Sequence, residues 1–357
     1  MLRRLLLLLL PLAGLVGACR PDADLRDAPA PAEPAGFTPA VPANLPQTVP
    51  SPARNRLTRE GVLLGRKLFY DVRLSGNNQI SCATCHQPDR AFSDGQPLST
   101  AGASGRALLR HTPALQNTAW ANGLFWDGGA ADLESLAFGP LTHLDEMAQD
   151  LTGLETELRA VPEYQPLFKA AFPAGEISAV TIARALAQFQ RTLISGNSAY
   201  DRWRRHEPGA ALSADELAGF AFVQNKCGAC HAGEQFTDFA YHNNGLDTAF
   251  ADDHERLAWG RARITNLPGD VGKYKTPTLR NVALTAPYMH DGRLPTLDAV
   301  LDHYHDHVLD SPTLDPAVRM ADGTPGVWMT LAEKRQILAF LRALTDTTFT
   351  RNPALRE

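Results

Sequence analysis

The chain has 357 residues, a formal net charge of −5 and 44% hydrophobic residues. This length is ample for two domains of ordinary size. The slightly acidic balance excludes the strongly basic surface on which nucleic-acid binding depends.

The N-terminal segment predicts export. Residues 1–18 begin with Arg3 and Arg4, continue with the apolar run Leu5–Leu10 and end in small residues before Cys19. This order is typical of a bacterial lipoprotein signal, after which the mature chain would start at a lipidated Cys19. The alternative is an ordinary signal peptide that is cleaved nearby. Because the apolar run is short for a transmembrane span, both alternatives predict a periplasmic protein, and the first adds a lipid anchor to the membrane.

The rest of the chain divides by composition. Residues 19–52 are rich in Pro and Ala without apolar periodicity, which predicts a flexible or polyproline tether. An N-terminal domain over 53–205 and a C-terminal domain over 206–346 would follow, with a tail over 347–357.

Four stretches carry helical signals. Apolar residues recur at helical spacing over 57–68 and 182–193. Capping boxes at Ser213–Glu216 and Thr330–Glu333 predict the starts of two more helices. Long Gly- and Pro-rich stretches separate them.

Two Cys-x-x-Cys-His segments, Cys82–His86 and Cys227–His231, use four of the five cysteines. Two thiols one helical turn apart can form thioethers to one porphyrin, and the adjacent imidazole can then reach the iron. A redox Cys-x-x-Cys pair or half a zinc site would not need this histidine in both copies. The sequence therefore predicts two covalently bound c-type haems, attached through Cys82, Cys85, Cys227 and Cys230, with His86 and His231 on the irons.

A haem supplies a large apolar core, so a domain built around it needs few helices. We therefore predict a mainly α fold with two cytochrome c-like haem domains and long loops.

The opposite face of each iron decides between electron transfer and catalysis. Residues 87–110 contain no His, Met or Tyr that could close the first iron. His111 could be a distal ligand, a loop-fixing side chain or a surface residue, of which we favour the last two. Candidates for the second iron are more numerous: Met289, His290, His303, Tyr304, His305, His307, Met320 and Met329.

Further motifs resemble those of the bacterial di-haem cytochrome c peroxidases and their MauG-type relatives. The resemblance runs from about residue 57 to residue 345. Its specific pieces are Leu64–Phe69, Phe125–Gly129, Gly139–Pro140, Asp145–Met147, Thr276–Val282 and Leu284–Gly292.

The resemblance implies roles for residues that the pattern alone would leave unremarkable. Trp126 matches a tryptophan between the two haems, where an oxidisable ring could carry an electron. Glu146 matches an acid on the open side of the peroxidatic haem, where a carboxylate can move a proton between the peroxide oxygens. Pro140 would border that pocket. Thr285 and Pro287 match residues whose carbonyls bind a calcium ion between the domains.

Four positions depart from the usual peroxidase of this family. Gly102 or a neighbour stands where a histidine would block the first iron, so we expect that iron to be open from the start. Leu136 replaces a glutamine near the peroxide pocket, and His111 replaces an asparagine of the calcium site. Tyr304 stands at the position of the methionine on the second haem, as in the MauG type, although His303 and His305 remain alternatives.

Two enzymatic hypotheses follow. As a peroxidase, the protein would reduce hydrogen peroxide to water with electrons from a small cytochrome c or a cupredoxin. As a MauG-type enzyme, it would use peroxide to oxidise residues of a partner protein. A non-catalytic di-haem electron carrier is a third reading, which the ligand-poor first loop argues against. We favour peroxide reduction. The resemblance is also compatible with a homodimer.

Overall fold

Short helices and loops make up most of the chain. The computed structural model describes residues 34–250 and 256–357. The predicted signal peptide and Cys19 lie outside the described residues. The α-helices are Arg59–Tyr70 (α1), Cys82–Cys85 (α2), Leu133–Leu136 (α3), Phe138–Thr142 (α4), Leu151–Ala160 (α5), Tyr164–Ala171 (α6), Ala179–Gln190 (α7), Ala199–Arg204 (α8), Ala214–Phe222 (α9), Ala262–Thr265 (α10), Leu297–Asp302 (α11), Leu331–Ala343 (α12) and Thr347–Thr350 (α13).

Tighter and wider turns complete the helical elements. π-helical turns span Val223–Cys227 and His303–His307. The 3₁₀ turns are Ala53–Asn55, Val72–Leu74, Pro88–Arg90, Thr118–Trp120, Leu257–Trp259, Pro268–Asp270, Val282–Leu284, Pro316–Val318 and Pro353–Leu355.

Strand structure is minimal. Within the described residues, one two-stranded antiparallel sheet pairs Tyr241–His242 (β1) with Tyr274–Lys275 (β2). The prediction of a mainly α fold is therefore confirmed at the level of secondary structure. None of the helices described is long and apolar enough to cross a membrane.

Helix α1 packs closely on α7. The Thr58 hydroxyl accepts a hydrogen bond from the Gly61 amide at 3.0 Å and caps the start of α1. A Cβ atom at Gly65 would lie 1.9 Å from the Ala185 carbonyl oxygen, so only glycine permits this close crossing. Around the two helices lies the first hydrophobic cluster, which includes Leu68 and Phe189. Both helices confirm the predictions from apolar periodicity.

Helices α9 and α12 form a second pair, which also crosses closely at a glycine. Both predicted capping boxes are present, at Ser213 with Glu216 and at Thr330 with Glu333. A Cβ at Gly219 would lie 2.0 Å from the Gln336 carbonyl oxygen. Helix α9 continues through a π-helical turn directly to Cys227. The second hydrophobic cluster surrounds this pair, so each Cys-x-x-Cys-His motif lies beside its own helix pair and core.

Both ends of the described chain differ from the sequence interpretation. In the predicted tether, Leu45 is buried and the Asn44 amide donates to Asp201 at 2.7 Å, so this stretch lies against the folded body. In the predicted tail, Phe349 and Leu355 join the first hydrophobic cluster. Single apolar side chains that fill grooves leave no periodic pattern, which is why composition suggested free segments.

Candidate active site

The first Cys-x-x-Cys-His motif forms one helical turn, α2, that ends at His86. The Nδ1 atom of His86 lies 2.7 Å from the Phe92 carbonyl oxygen, which orients the ring and leaves Nε2 free. Phe92 adopts a positive φ of 63°, and the φ of Ala91 beside it is also positive. The chain turns tightly here and so presents the Phe92 carbonyl to His86. Burial lowers the pKa of His86, which favours the neutral imidazole that binds metals.

The second motif repeats this arrangement. His231 places Nδ1 3.1 Å from the Phe236 carbonyl oxygen, and burial lowers the pKa of its imidazole. The thiols of both motifs are free, and burial raises the pKa of Cys227 to about 11. Paired thiols in an apolar setting, next to a neutral imidazole with a free Nε2, fit a covalently attached haem at each motif.

A cavity of about 270 Å³ lies beside the second motif. Cys227, Cys230 and His231 line it, together with apolar side chains of the second hydrophobic cluster such as Leu301 and Leu341. The wall also holds polar and oxidisable groups, among them Trp126, Asn244, Lys275, Met289, His290 and Tyr304.

The structure separates the candidate ligands of the second iron. Tyr304 lines the cavity, whereas His303 bonds the Asn244 carbonyl through Nε2 at 3.0 Å and His305 accepts the Met329 amide at 3.1 Å. The Asn244 side-chain amide lies 3.5 Å from the Tyr304 hydroxyl and 3.3 Å from the Met289 sulfur. Of Tyr304, His303 and His305, Tyr304 alone lines the cavity, and Met289, another of the candidates from the sequence, is its neighbour.

The protonation of Tyr304 depends on its surroundings. Burial raises the pKa of Tyr304 to about 12, and the hydrogen bond from Asn244 opposes that shift. A phenolate would therefore require a nearby cation to stabilise it.

Glu146 lies near the first motif, in the loop after α4. Its amide donates to the His143 carbonyl at 3.0 Å, and the next amide, of Met147, donates to the Pro140 carbonyl at 3.1 Å. Glu146 and Pro140 are thus neighbours. Burial raises the pKa of Glu146, and its carboxylate is close enough to act electrostatically on Cys82. A carboxyl group with a raised pKa in a partly dry site is suited to proton transfer.

The loop that contains Gly102 packs directly against this acidic segment. A Cβ at Gly102 would lie 1.8 Å from the Asp145 carbonyl oxygen, and the Ala103 amide donates to the Glu146 carbonyl at 2.6 Å. Glycine is therefore required here by close backbone approach. A side chain that could block the iron has no room at this position.

Trp126 lines the cavity beside the second motif. Its indole Nε1 donates to the His111 carbonyl at 2.8 Å. The neighbouring Thr112 carbonyl accepts the Ser93 hydroxyl at 2.9 Å, and Ser93 follows the residue that orients His86. This arrangement connects the cavity wall to the first motif through a few hydrogen bonds.

His111 is a buried loop-fixing residue. Only 5% of it is exposed, and its Nδ1 lies 2.8 Å from the Gln96 carbonyl oxygen. The alternative that placed it on the surface is therefore wrong. Thr285 and Pro287 line the same cavity as His111, and calcium binding by their carbonyls stays a prediction. Leu136 is buried in a small apolar cluster with Leu124.

Sequence reasoning missed a charged triad beside Cys230. The His242 ring lies between Asp238, at 2.8 Å, and Asp315, at 2.6 Å. The Cys230 thiol and both carboxylates raise the pKa of His242 to about 10, which favours the protonated ring. Asp315 lies 73 positions along the chain from His242, and nothing local in the sequence signals this pairing.

Comparison with known proteins finds similarity over most of the chain. A family model described as di-haem cytochrome c peroxidase matches residues 59–209. The methylamine utilization protein MauG of Methylorubrum extorquens is 40% identical over 303 residues, covering 84% of this chain and 82% of the relative. Cytochrome c551 peroxidase of Pseudomonas aeruginosa is 36% identical over 245 residues, covering 66% and 69%. A solved MauG-like protein associated with microbial copper homeostasis has a TM-score of 0.78 at 32% identity, covering 88% of this chain and 99% of that one.

Proposed function

The chain belongs to the di-haem cytochrome c peroxidase family that includes MauG, and on this premise we propose that it reduces hydrogen peroxide at the first motif with electrons that enter at the second. Membership of this oxidoreductase family implies two c-type haems. In the proposed assignment, Cys82 and Cys85 attach the first haem, with His86 as its ligand. Cys227 and Cys230 would attach the second haem, and His231 would bind its iron. A bound haem supplies an iron that supports cleavage of the peroxide O–O bond.

Two observations carry the proposal: Glu146 lies close enough to act electrostatically on Cys82, and Gly102 has no room for a side chain that could block the first iron. Reduction of one hydrogen peroxide consumes two electrons and two protons and yields two waters. Glu146 would accept the proton of the inner peroxide oxygen and deliver it to the outer one, so that the outer oxygen leaves as water. Pro140 borders the same space and would help to exclude bulk water. No side chain fits at Gly102, so no group at this position would obstruct the approach of peroxide to the first iron.

Trp126 would carry electrons between the two sites. Its ring is half-buried in the wall of the cavity beside the second motif. Its indole N–H donates to the His111 carbonyl, in the segment that reaches the His86 turn. The electron donor would be a small cytochrome c or a cupredoxin, and its electrons would enter at the second haem.

The second candidate function is MauG-type oxidation of a partner protein, and the position of Tyr304 favours it. A tyrosinate on the second iron would lower its potential and allow both haems to be oxidised. The surface also offers an aromatic side chain for such a partner. Trp328 is 58% exposed, and its ring lies 5.4 Å from the ammonium of Lys226, which precedes Cys227.

The remaining predictions belong to the same proposal. The mature protein would be periplasmic and held to the membrane by a lipid on Cys19. A calcium ion on the carbonyls of Thr285 and Pro287 and a homodimeric assembly would complete it.

Turnover by the fully ferric, haem-loaded protein tests the proposal. Peroxide is added together with a reduced small c-type cytochrome, and no reductant is added to the enzyme beforehand. Immediate oxidation of the cytochrome, at a rate proportional to enzyme, supports a peroxidase whose first site is open. Absence of turnover, with a long-lived change in the haem spectrum after peroxide, would instead support the MauG-type function. No response of either kind would reject both.

A further inference from the structure

The ammonium group of Lys275 has no hydrogen-bond or ion-pair partner among the described residues. Lys275 lies in β2, and its backbone amide donates to the Trp126 carbonyl at 2.8 Å. Its side chain lines the cavity beside His231 and is partly buried. Burial alone lowers its pKa to about 8, and among the described residues no hydrogen bond, ion pair or opposing carboxylate offsets the loss of hydration. A buried cation without a counter-ion is costly, so a partner is expected.

The described cavity wall does not supply that counter-ion. Asp315 is the only carboxylate in the described cavity wall, and it already accepts a hydrogen bond from His242 at 2.6 Å. The other lysine of the wall, Lys226, is engaged with Glu333 at 3.2 Å. Lys275 is therefore left as the one lysine of the described wall that lacks an anion.

A second unpaired donor lies in the same wall. The side-chain Nε2 of Gln235 is buried and has no hydrogen-bond partner within the described chain. Its amide is held by Asn117, which donates to Gln235 Oε1 at 2.9 Å. One further unpaired atom, the acceptor Oε1 of Gln116, could hold a water. An ammonium in the cavity wall and an unpaired amide N–H on another residue of that wall are suited to a carboxylate.

We propose that Lys275 binds a propionate carboxylate of the haem attached at Cys227 and Cys230, and that Gln235 Nε2 donates to the same propionate edge. The porphyrin brings its own carboxylates into the cavity, and the inference rests on the proposed haem at this motif. Because the Lys275 amide is bonded to the Trp126 carbonyl, the ion pair would also tie the propionate edge to the segment that carries Trp126. Lys275 is thus a positioning residue for electron transfer between the two sites.

The test measures the midpoint potential of each haem in the holoprotein by spectroelectrochemistry. The variants are Lys275→Met and Lys275→Arg, and Lys273→Met is the matched control. Lys273 carries the same charge two positions away but pairs with Asp270 at 3.3 Å, outside the cavity. Loss of the Lys275 cation should lower the potential of the second haem, because an unpaired propionate stabilises ferric iron. The first haem, Lys275→Arg and Lys273→Met should stay near their wild-type values.

Three results would overturn the inference. One is a wild-type potential in fully haem-loaded Lys275→Met. Another is an equal shift in Lys273→Met. The third is a wild-type potential that varies with acetate concentration at constant ionic strength, which would identify a free anion as the partner. If Lys275→Met does not mature, Lys275→Gln replaces it, and the propionate band in resonance Raman spectra should shift relative to wild type. Complete absence of a second haem signal from wild type would reject the proposed function instead.

Discussion

Replacing Glu146 with glutamine removes the proposed proton carrier and keeps the size of the side chain. Proton transfer by a positioned side chain contributes about 10²–10⁴-fold to a rate. Glu146 has two features that favour this range, since its pKa is raised by burial and its backbone is held on both sides by hydrogen bonds. We therefore expect Glu146→Gln to lower the peroxide-dependent rate by about two orders of magnitude or more, with both haems retained.

The proposed role of Glu146 also predicts how the rate changes with pH. Glu146 must be ionised to accept the first proton, so the wild-type rate should fall as pH decreases through its raised pKa. Glu146→Gln should lose that limb of the profile. The rate is measured by stopped flow under single-turnover conditions, where the donor protein plays no part.

Asp145→Asn is the matched control. It removes a negative charge from the adjacent residue, whose carboxylate is paired with Arg106 at the surface. Because the Asp145 charge contributes to the raised pKa of Glu146, this control should keep its rate and move the acidic limb to slightly lower pH. A rate for Glu146→Gln within about twofold of wild type would refute the proton-transfer role, as would an equal loss in Asp145→Asn.

Three other substitutions test the loop at Gly102, the role of Tyr304 and the packing of the C-terminal segment. Gly102→Ala should lower the melting temperature and disturb the peroxide reaction, because its Cβ would lie 1.8 Å from the Asp145 carbonyl oxygen; unchanged melting in a thermal scan would contradict the close approach. Tyr304→Phe should raise the potential of the second haem, as a redox titration would measure, because it removes the phenol oxygen that is proposed to bind the second iron as an anion. Phe349→Ala should cost about 3–5 kcal/mol of unfolding free energy in urea, since this ring is buried against Phe92 with centroids 5.6 Å apart; a loss below 1 kcal/mol would show that the C-terminal segment does not contribute to the core.

Local rules predicted the elements that local interactions determine. Helix α1 and helix α9 could be predicted because apolar spacing and a capping box act within a few residues. The close helix crossings at Gly65 and Gly219 could not, since a glycine inside a helix shows its purpose only when the partner backbone is seen. The burial of Leu45 and Phe349 was hidden for the same reason, as each fills a groove formed by distant segments.

The site shows a similar division. The two Cys-x-x-Cys-His motifs are contiguous, so their chemistry could be predicted from spacing alone. The His242 ring has two carboxylate partners, one of them far along the chain. The Lys275 ammonium has no partner among the described residues. Neither property can be recognised from neighbouring residues in the sequence. Met289 was one of several candidate ligands in the sequence, and only the contacts of Asn244 with both side chains place it beside Tyr304.

The electron paramagnetic resonance spectrum of the fully ferric holoprotein shows whether the first iron is open. We expect two haems per chain, one of them high-spin because no protein side chain would occupy the open face of the first iron. Cyanide binding should remove that high-spin signal. Two low-spin haems, unaffected by cyanide, would contradict an open first site and make the protein an electron carrier.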